Sequence, residues 1–291
     1  MSTLLNPPPS LSFADQFTFH PKGSTTAALI TILHTITNLL TTNQFVTVIA
    51  LDFSKPFDTI KHQTLLNRYS QLDIPDHIYN RLVEYFHSHM HCTKYHGQTS
   101  ALQEITVSII QGSAIGRVSY VIVAADLRSI TPGNCLCKYA DDMYIIIPAA
   151  NAHSREAELD NVEWARLNNL HLNRTKSVKI VFMSNRRTHR TVSLPPSLPD
   201  IARVLLLKIL GVTISDSLSV SDHMQYVISS CAQTFHALRL LRAHGLCDAA
   251  LKTVYRCVVV ARLLYAVNAW WGFTPATVAV CERASRLSSC G

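Results

Sequence analysis

Two hydrophobic periodicities alternate along this chain. "QFVTVIALDF" (44–53) is a β-branched apolar run, short enough for a buried strand, and it ends at Asp52. "VKIVFM" (178–183) reads as another strand, and 135–148 as strand, Ala-Asp-Asp turn and strand. Residues 25–40, rich in Ala, Leu and Ile, predict a helix. So do 60–70 and 76–88, where Ile78, Leu82, Tyr85 and Phe86 keep helical spacing. Residues 91–110 alternate like a hairpin around Gly97, and 111–127 open on Gly and Ser before an apolar helix. A helix from Ser154 to about Leu170 takes Ser154 as its expected cap, with Glu156 and Glu158 placed favourably in its first turn. "KILGVTIS" (208–215) predicts one short strand, and two long helical patterns follow near 220–243 and 247–270.

Strands mixed with helices and followed by an all-helical tail predict an α+β fold with a helical appendage. Residues 1–14 are Pro/Ser-rich without a period and read as a loose leader, so the folded unit is expected over 15–184. "NRRTHRTVSLPPSLPD", basic and then Pro-rich, reads as a linker over 185–200, ahead of a final region at 201–291.

Composition narrows this picture. With 48% hydrophobic and 15% charged residues in 291, the chain is globular and excludes a disordered class. Its net charge of +7 favours a polyanionic partner, nucleic acid or an acidic membrane surface. The N-terminus lacks the pattern of a signal peptide, and the longest apolar stretch, 254–271, is interrupted by Arg256, Arg262 and Asn268. An intracellular protein, cytoplasmic or nuclear and without a membrane span, is expected. The eight cysteines contain no CxxC pair and read as reduced thiols. His87, His89 and His91 alternate beside Cys92 and His96, which suits either a zinc site completed by a second element or an exposed polar strand edge.

The candidate chemistry is carboxylate chemistry. Asp52 closes one buried strand, and Asp141-Asp142 sit between two others in "KYADDMYIII" (138–147). Adjacent acids repel and lose solvation beside a core, so either they form a simple turn or a divalent cation balances them. If the strands are neighbours, three hard oxygen donors converge, as Mg²⁺ sites on phosphate substrates require. In a basic chain that points to nucleotidyl transfer or nuclease chemistry. Asp58, just before "TIKHQTLL", reads as a helix cap and not as a fourth ligand.

Several motifs, in order, resemble the reverse transcriptase domain of non-LTR (LINE-type, jockey-like) retrotransposons over most of 15–275. "VIALDFSKPFDTIKH" resembles that family's first carboxylate motif, "QGSAIG" its nucleotide-pocket turn and "YADD" its palm signature. "WARLNNLHLNRTKS" is similar to its downstream lysine motif, "KILGVTIS" to the strand near the primer grip, and "LLYAVNAWWGF" to the end of the thumb. The resemblance implies a right-hand polymerase: a palm of antiparallel sheet with packed helices, partial fingers, and a helical thumb-like C-terminal region. It implies RNA-directed DNA polymerase activity with Mg²⁺ (Mn²⁺ as the alternative), an RNA template, a DNA primer and dNTPs. Asp52 and Asp141 would be the principal metal ligands, joined by Asp142 and the backbone carbonyl of Phe53. Phe57 would crowd a ribose 2′-OH, or else be plain core. Gln111, Gly112 and Ser113 would line the incoming nucleotide, with Ser113 also suited to starting a helix. Lys176 would sit near the triphosphate as a general acid, or else be a solvated charge.

The match has departures. Where the family pattern is close to Gln-x-Gly-Phe-Arg-Pro-x-Arg-Ser-Thr, this chain reads "QFTFHPKGST" (16–25), with Thr18 for the glycine, and His20 and Gly23 for the two arginines. Lys22 would substitute only in part, because Lys lacks the bidentate fork of Arg. Pro56 and Arg117 replace the usual alanine and proline of their motifs. The expectation is an element truncated at both ends, whose alternative is an inactive remnant that at most binds nucleic acid.

Overall fold

The strand at Phe45–Leu51 is buried along almost its whole length, and the architecture follows from covering both of its faces. The computed structural model describes residues 13–18, 23–54, 57–87, 90–109, 113, 115–163, 171–183 and 194–274. In chain order these form α1 (Thr25–Thr42), β1 (Phe45–Leu51), β2 (Phe53–Ser54), α2 (His62–Tyr69), α3 (Asp76–Phe86), β3 (Met90–His91), β4 (Lys94–Tyr95), β5 (Gln98–Thr99), β6 (Gln103–Glu104) and α4 (Gly116–Val123). Then come β7 (Cys135–Tyr139), β8 (Asp142–Pro148), α5 (Arg155–Glu163), β9 (His171–Leu172), β10 (Val178–Met183), β11 (Ala202–Arg203), β12 (Leu206–Ile209) and β13 (Val212–Ser215). The chain continues through α6 (Ser221–Ala243), α7 (Asp248–Val254), α8 (Ala261–Leu264) and α9 (Val267–Trp270).

The main sheet has the order β11-β10-β1-β8-β7, antiparallel throughout except for the parallel β10–β11 edge. Alternate residues of β1 and β8 serve opposite cores. Ile49, Leu51, Met143, Ile145 and Ile147 pack with Leu65 and Tyr69 of α2, Leu82 and Phe86 of α3, and Tyr120 to Val123 of α4. Val46, Val48, Tyr144 and Ile146 pack with α1, β12, β13 and Trp270. Each fully buried Val, Ile or Leu side chain contributes roughly 1.5–3 kcal/mol, so a run with no polar face is what a doubly covered strand needs. On α1, Ser24 accepts a hydrogen bond from Ala27 N–H (3.0 Å), and Ala28, Leu29, Ile32, Leu33, Ile36 and Leu40 form the buried stripe.

Several elements differ from the sequence reading. Phe13, inside the expected leader, is 6% exposed and belongs to the core. The part of the expected linker at 194–200 docks: Leu198 is buried, and the Pro196 carbonyl accepts from Arg155 and Lys179. Ser154 does not cap α5. Its hydroxyl donates to the Asn151 carbonyl and accepts from Asn134, while Glu158, buried, accepts from the Ile130 and Thr131 N–H groups and so anchors that loop. Helix α5 is described to Glu163, and 164–170 lie outside the described residues. Asp58 makes no cap either; Lys61 occupies that position before α2, with no side-chain cap bond.

"KILGVTIS" is not one strand but the heart of a hairpin, turned at Leu210 (φ 44°) and Gly211 (φ 90°). Two adjacent left-handed residues suit a two-residue hairpin loop. A Cβ on Gly211 would lie 3.1 Å from the Tyr265 ring, so glycine permits this approach. The Tyr265 hydroxyl donates to the Leu210 carbonyl (2.8 Å), and the Leu210 N–H donates to the Tyr144 hydroxyl (3.3 Å). The second long helical pattern, 247–270, is interrupted by a π-helical turn at Tyr255–Val260 and by Ala266 at φ 50°.

Residues 90–104 form the expected hairpin, turned at His96–Gly97 and solvent-exposed. His89 lies outside the described residues, while His87, His91 and His96 are exposed. Cys92, Cys135, Cys137, Cys231, Cys247 and Cys257 carry free thiols. Among the described residues no helix is long and apolar enough to cross a membrane.

Candidate active site

The site is built from the ends of the two central strands. Leu51 pairs with Met143 across β1 and β8, so the next step of the antiparallel register sets Asp52 level with Asp142. Tyr139 pairs with Asp142 to close the β7–β8 hairpin, which leaves Ala140 and Asp141 as its two loop residues. Ala140 holds φ 55°, a left-handed conformation that costs a residue bearing a Cβ roughly 1–2 kcal/mol. Strain of this kind persists only where the surroundings over-determine it.

Those surroundings are the segment at 13–18, laid along β7. Lys138 N–H donates to the Asp15 carbonyl (2.7 Å), and Phe17 N–H donates to the Lys138 carbonyl (2.9 Å). The buried Gln16 side chain accepts from Thr18 N–H (3.0 Å) and, at a longer 3.4 Å, from Ala140 N–H. The Lys138 ammonium is wholly buried, stands 3.0 Å from the Asp15 carboxylate, and donates to the carbonyls of Ala124 (3.0 Å) and Leu127 (2.9 Å) just after α4. Burial lowers the Lys138 pKa and raises that of Asp15, each only partly offset by the charge of the other.

At the tip of the hairpin the balance is different. Asp142 is an exposed residue, yet partial desolvation of its carboxyl raises its pKa, and the negative charges of Asp141 and Asp52 raise it further. Among the described residues no cation is ion-paired with any of the three. Nor do three or more His, Cys, Asp or Glu side chains there stand ready to hold a metal ion. The convergence expected from the sequence is therefore one of charge at a shared strand end, not a closed ligand shell. An uncompensated group of hard carboxylate oxygens suits Mg²⁺, which commonly takes one or two carboxylates and fills its octahedron with water and substrate phosphates.

Asp52 is fixed from behind. Its N–H donates to the Ser177 hydroxyl (3.0 Å), its carbonyl accepts from Asn173 N–H (2.7 Å), and the Ser177 hydroxyl donates to the Asn173 carbonyl (2.8 Å). Phe53, buried, pairs with Leu172 in the short β2–β9 ladder. Lys176 is exposed in the Asn173–Ser177 turn, one residue from this clasp, so the expected lysine lies beside the strand end that carries Asp52.

Phe57 is half-buried against the core, its ring 5.0 Å from that of Tyr120 and tilted by 38°. Burial pushes the Tyr120 hydroxyl far above the usual phenol range, and Asp141 and then Asp142 add to the rise. The Ser113 hydroxyl accepts from Gly116 N–H (2.9 Å) at the start of α4. Gln111, Gly112 and Lys22 lie outside the described residues. Sequence reasoning missed Gln16, Lys138, Asn173, Ser177 and Tyr120. Lys138 alone carried a signal, as a lysine inside an otherwise apolar strand.

The chain matches the family model described as "Reverse transcriptase (RNA-dependent DNA polymerase)" over residues 2–214. It is 24% identical over 221 residues to the probable RNA-directed DNA polymerase from transposon X-element of Drosophila melanogaster, which covers 72% of this chain and 24% of that protein. It is also 24% identical over 275 residues to the RNA-directed DNA polymerase from mobile element jockey of Drosophila funebris, covering 88% of this chain and 29% of that protein. The chain thus spans less than a third of the length of these curated relatives. Among solved structures, apo telomerase from Candida tropicalis is similar with a TM-score of 0.50 at 12% identity, over 68% of this chain and 36% of that one, which is a likeness of fold alone. The sheet flanked by helices is accordingly a right-hand polymerase fold. A family match that runs through the carboxylate hairpin and into β13 settles the assignment: the chain belongs to the reverse transcriptase family of RNA-dependent DNA polymerases.

Proposed function

We propose that this chain is the catalytic core of a non-LTR retrotransposon's RNA-directed DNA polymerase, which extends a DNA primer with dNTPs on an RNA template. The observation that carries this reading is the strand register within a chain of the reverse transcriptase family: it sets Asp52 level with Asp142 at one strand end, beside Asp141. The carboxylates of Asp52, Asp141 and Asp142, with the Phe53 carbonyl, would hold Mg²⁺ or Mn²⁺. When bound, the cation neutralises charge on the attacking and departing oxygens of the phosphoryl group.

The remaining roles belong to the chain's own groups. Phe57 would crowd a ribose 2′-OH and so select deoxynucleotides. Gln111, Gly112 and Ser113 would line the incoming nucleotide. Lys176 delivers a proton to the departing pyrophosphate, and Lys22 supplies a point charge to the triphosphate. The net charge of +7 suits a nucleic-acid duplex, with affinity that falls as salt rises.

Primer extension on an RNA template tests the reading. Elongation that requires Mg²⁺ and stops with chelator is the expected result. Salt-sensitive retention of primer–template without elongation would favour the remnant reading instead, which the His20 and Gly23 replacements support.

A further inference from the structure

The loop that carries Asp141 is gripped by a side chain from the far N-terminal part of the chain. Residues 15–17 run parallel to β7, with Gln16 bridged to Lys138. The bonds from Lys138 N–H to the Asp15 carbonyl and from Phe17 N–H to the Lys138 carbonyl fix this strap on either side of Gln16. Gln16, only 4% exposed, turns its amide oxygen to two backbone donors, Thr18 N–H (3.0 Å) within the strap and Ala140 N–H (3.4 Å) in the hairpin loop. Both neighbours are donors, so the amide cannot be turned over. Its Nε2 is therefore left buried without an acceptor among the described residues.

A buried amide N–H without an acceptor weakens a fold, and the bond to Thr18 only ties the strap to itself. What an apolar side chain could not supply is the link to Ala140. That residue is where the loop needs one: Ala140 holds φ 55° at a position where Gly, Asn or Asp is usual, directly before Asp141.

We propose that Gln16 is a positioning residue for the carboxylate hairpin: through Ala140 N–H it keeps the loop left-handed and so sets the direction in which the next residue, Asp141, leaves the strand end. Its effect on catalysis rests on the reading of Asp141 given above. Its grip on the loop does not.

Hydrogen exchange and primer extension test it together, using Gln16→Met, Ala140→Gly and the two combined. In Gln16→Met the Ala140 amide should exchange about tenfold faster, while amides of β1 keep their protection. Primer extension should lose about tenfold in kcat with little change in KM for dNTP, since a misdirected acid acts in the transition state and not in binding. Glycine adopts the left-handed conformation without steric cost, so adding Ala140→Gly to Gln16→Met should restore most of the lost kcat. A general loss of stability would not respond to glycine at 140. Gln16→Asn, one methylene shorter, takes the place of Gln16→Met if the latter folds poorly. Unchanged exchange at Ala140 would overturn the inference whether or not the chain extends primers. Faster exchange with undiminished kcat would overturn the positioning role. A wild-type chain that extends no primer would overturn the polymerase reading, and exchange at Ala140 would still decide whether Gln16 holds the loop.

Discussion

The base and the tip of the β7–β8 hairpin handle charge in opposite ways. At the base, Lys138 is sealed in the interior, ion-paired with the Asp15 carboxylate and hydrogen-bonded to two carbonyls. At the tip, three residues on, Asp141 and Asp142 stand beside Asp52 with no protein cation among the described residues. A fold able to pair a buried lysine so fully could pair a carboxylate too. The difference therefore separates charges placed for stability from charges left for something that binds.

The largest expected effect falls on the tip. Asp141→Asn should reduce Mg²⁺-dependent primer extension to background and remove stabilisation by Mg²⁺, while the fold survives. Were the tip only a turn, Asn would serve equally well and both assays would be silent.

The base should fail in the opposite sense, through stability and not through metal. Lys138→Met leaves the Asp15 carboxylate without its counter-charge and should cost about 3–5 kcal/mol by urea denaturation. Lys138→Met combined with Asp15→Leu removes both charges and should recover most of that loss. A single variant as stable as wild type would erase the contrast.

Smaller again is Ser177→Ala. It removes the acceptor for Asp52 N–H and should lower stability by about 1–2 kcal/mol in the same denaturation.

The smallest effect sharpens the comparison through pH. The raised pKa of Asp142 means that, above the ordinary carboxylate value of 3.8, the folded chain retains a proton the unfolded chain has released. Stability from this group is therefore lost as pH rises from that value through the folded pKa, and it stays lost above. Asp142→Asn should match wild type at low pH and exceed it slightly near neutrality in chelator, the gain being limited by solvent screening. Melting curves of both proteins between about pH 3 and 8 check this, and the similarly raised Asp15 cancels in their difference. Added Mg²⁺ should close the gap from the wild-type side.

Local pattern carried the strands at 45–51 and 178–183, the carboxylate hairpin, and the helices at 25–42, 62–69 and 76–86, because period and burial agree there. It failed where a short-range signal had a long-range competitor. Ser154 and Asp58 have the chemistry of caps, yet Ser154 bonds to Asn134 and Asn151, and Asp58 precedes a helix that begins without a side-chain cap. The Leu-Gly turn inside "KILGVTIS" was hidden because both flanks are apolar, and it is the tyrosines from residues 144 and 265 that hold it.

The sequence by itself determined on which strand ends the candidate acids sit, since a carboxylate beside a buried β-branched run marks where the strand stops. It also determined the family, through the order of its motifs. Only the tertiary structure decided what surrounds those acids. The Asp15–Lys138 pair spans 123 residues, Ser177 reaches Asp52 across 125, and Tyr120 meets Phe57 from α4. No local period encodes such partners. They exist because the chain returns to the same strand end three times, and at each return a buried polar group needs an acceptor, a counter-charge or a ligand.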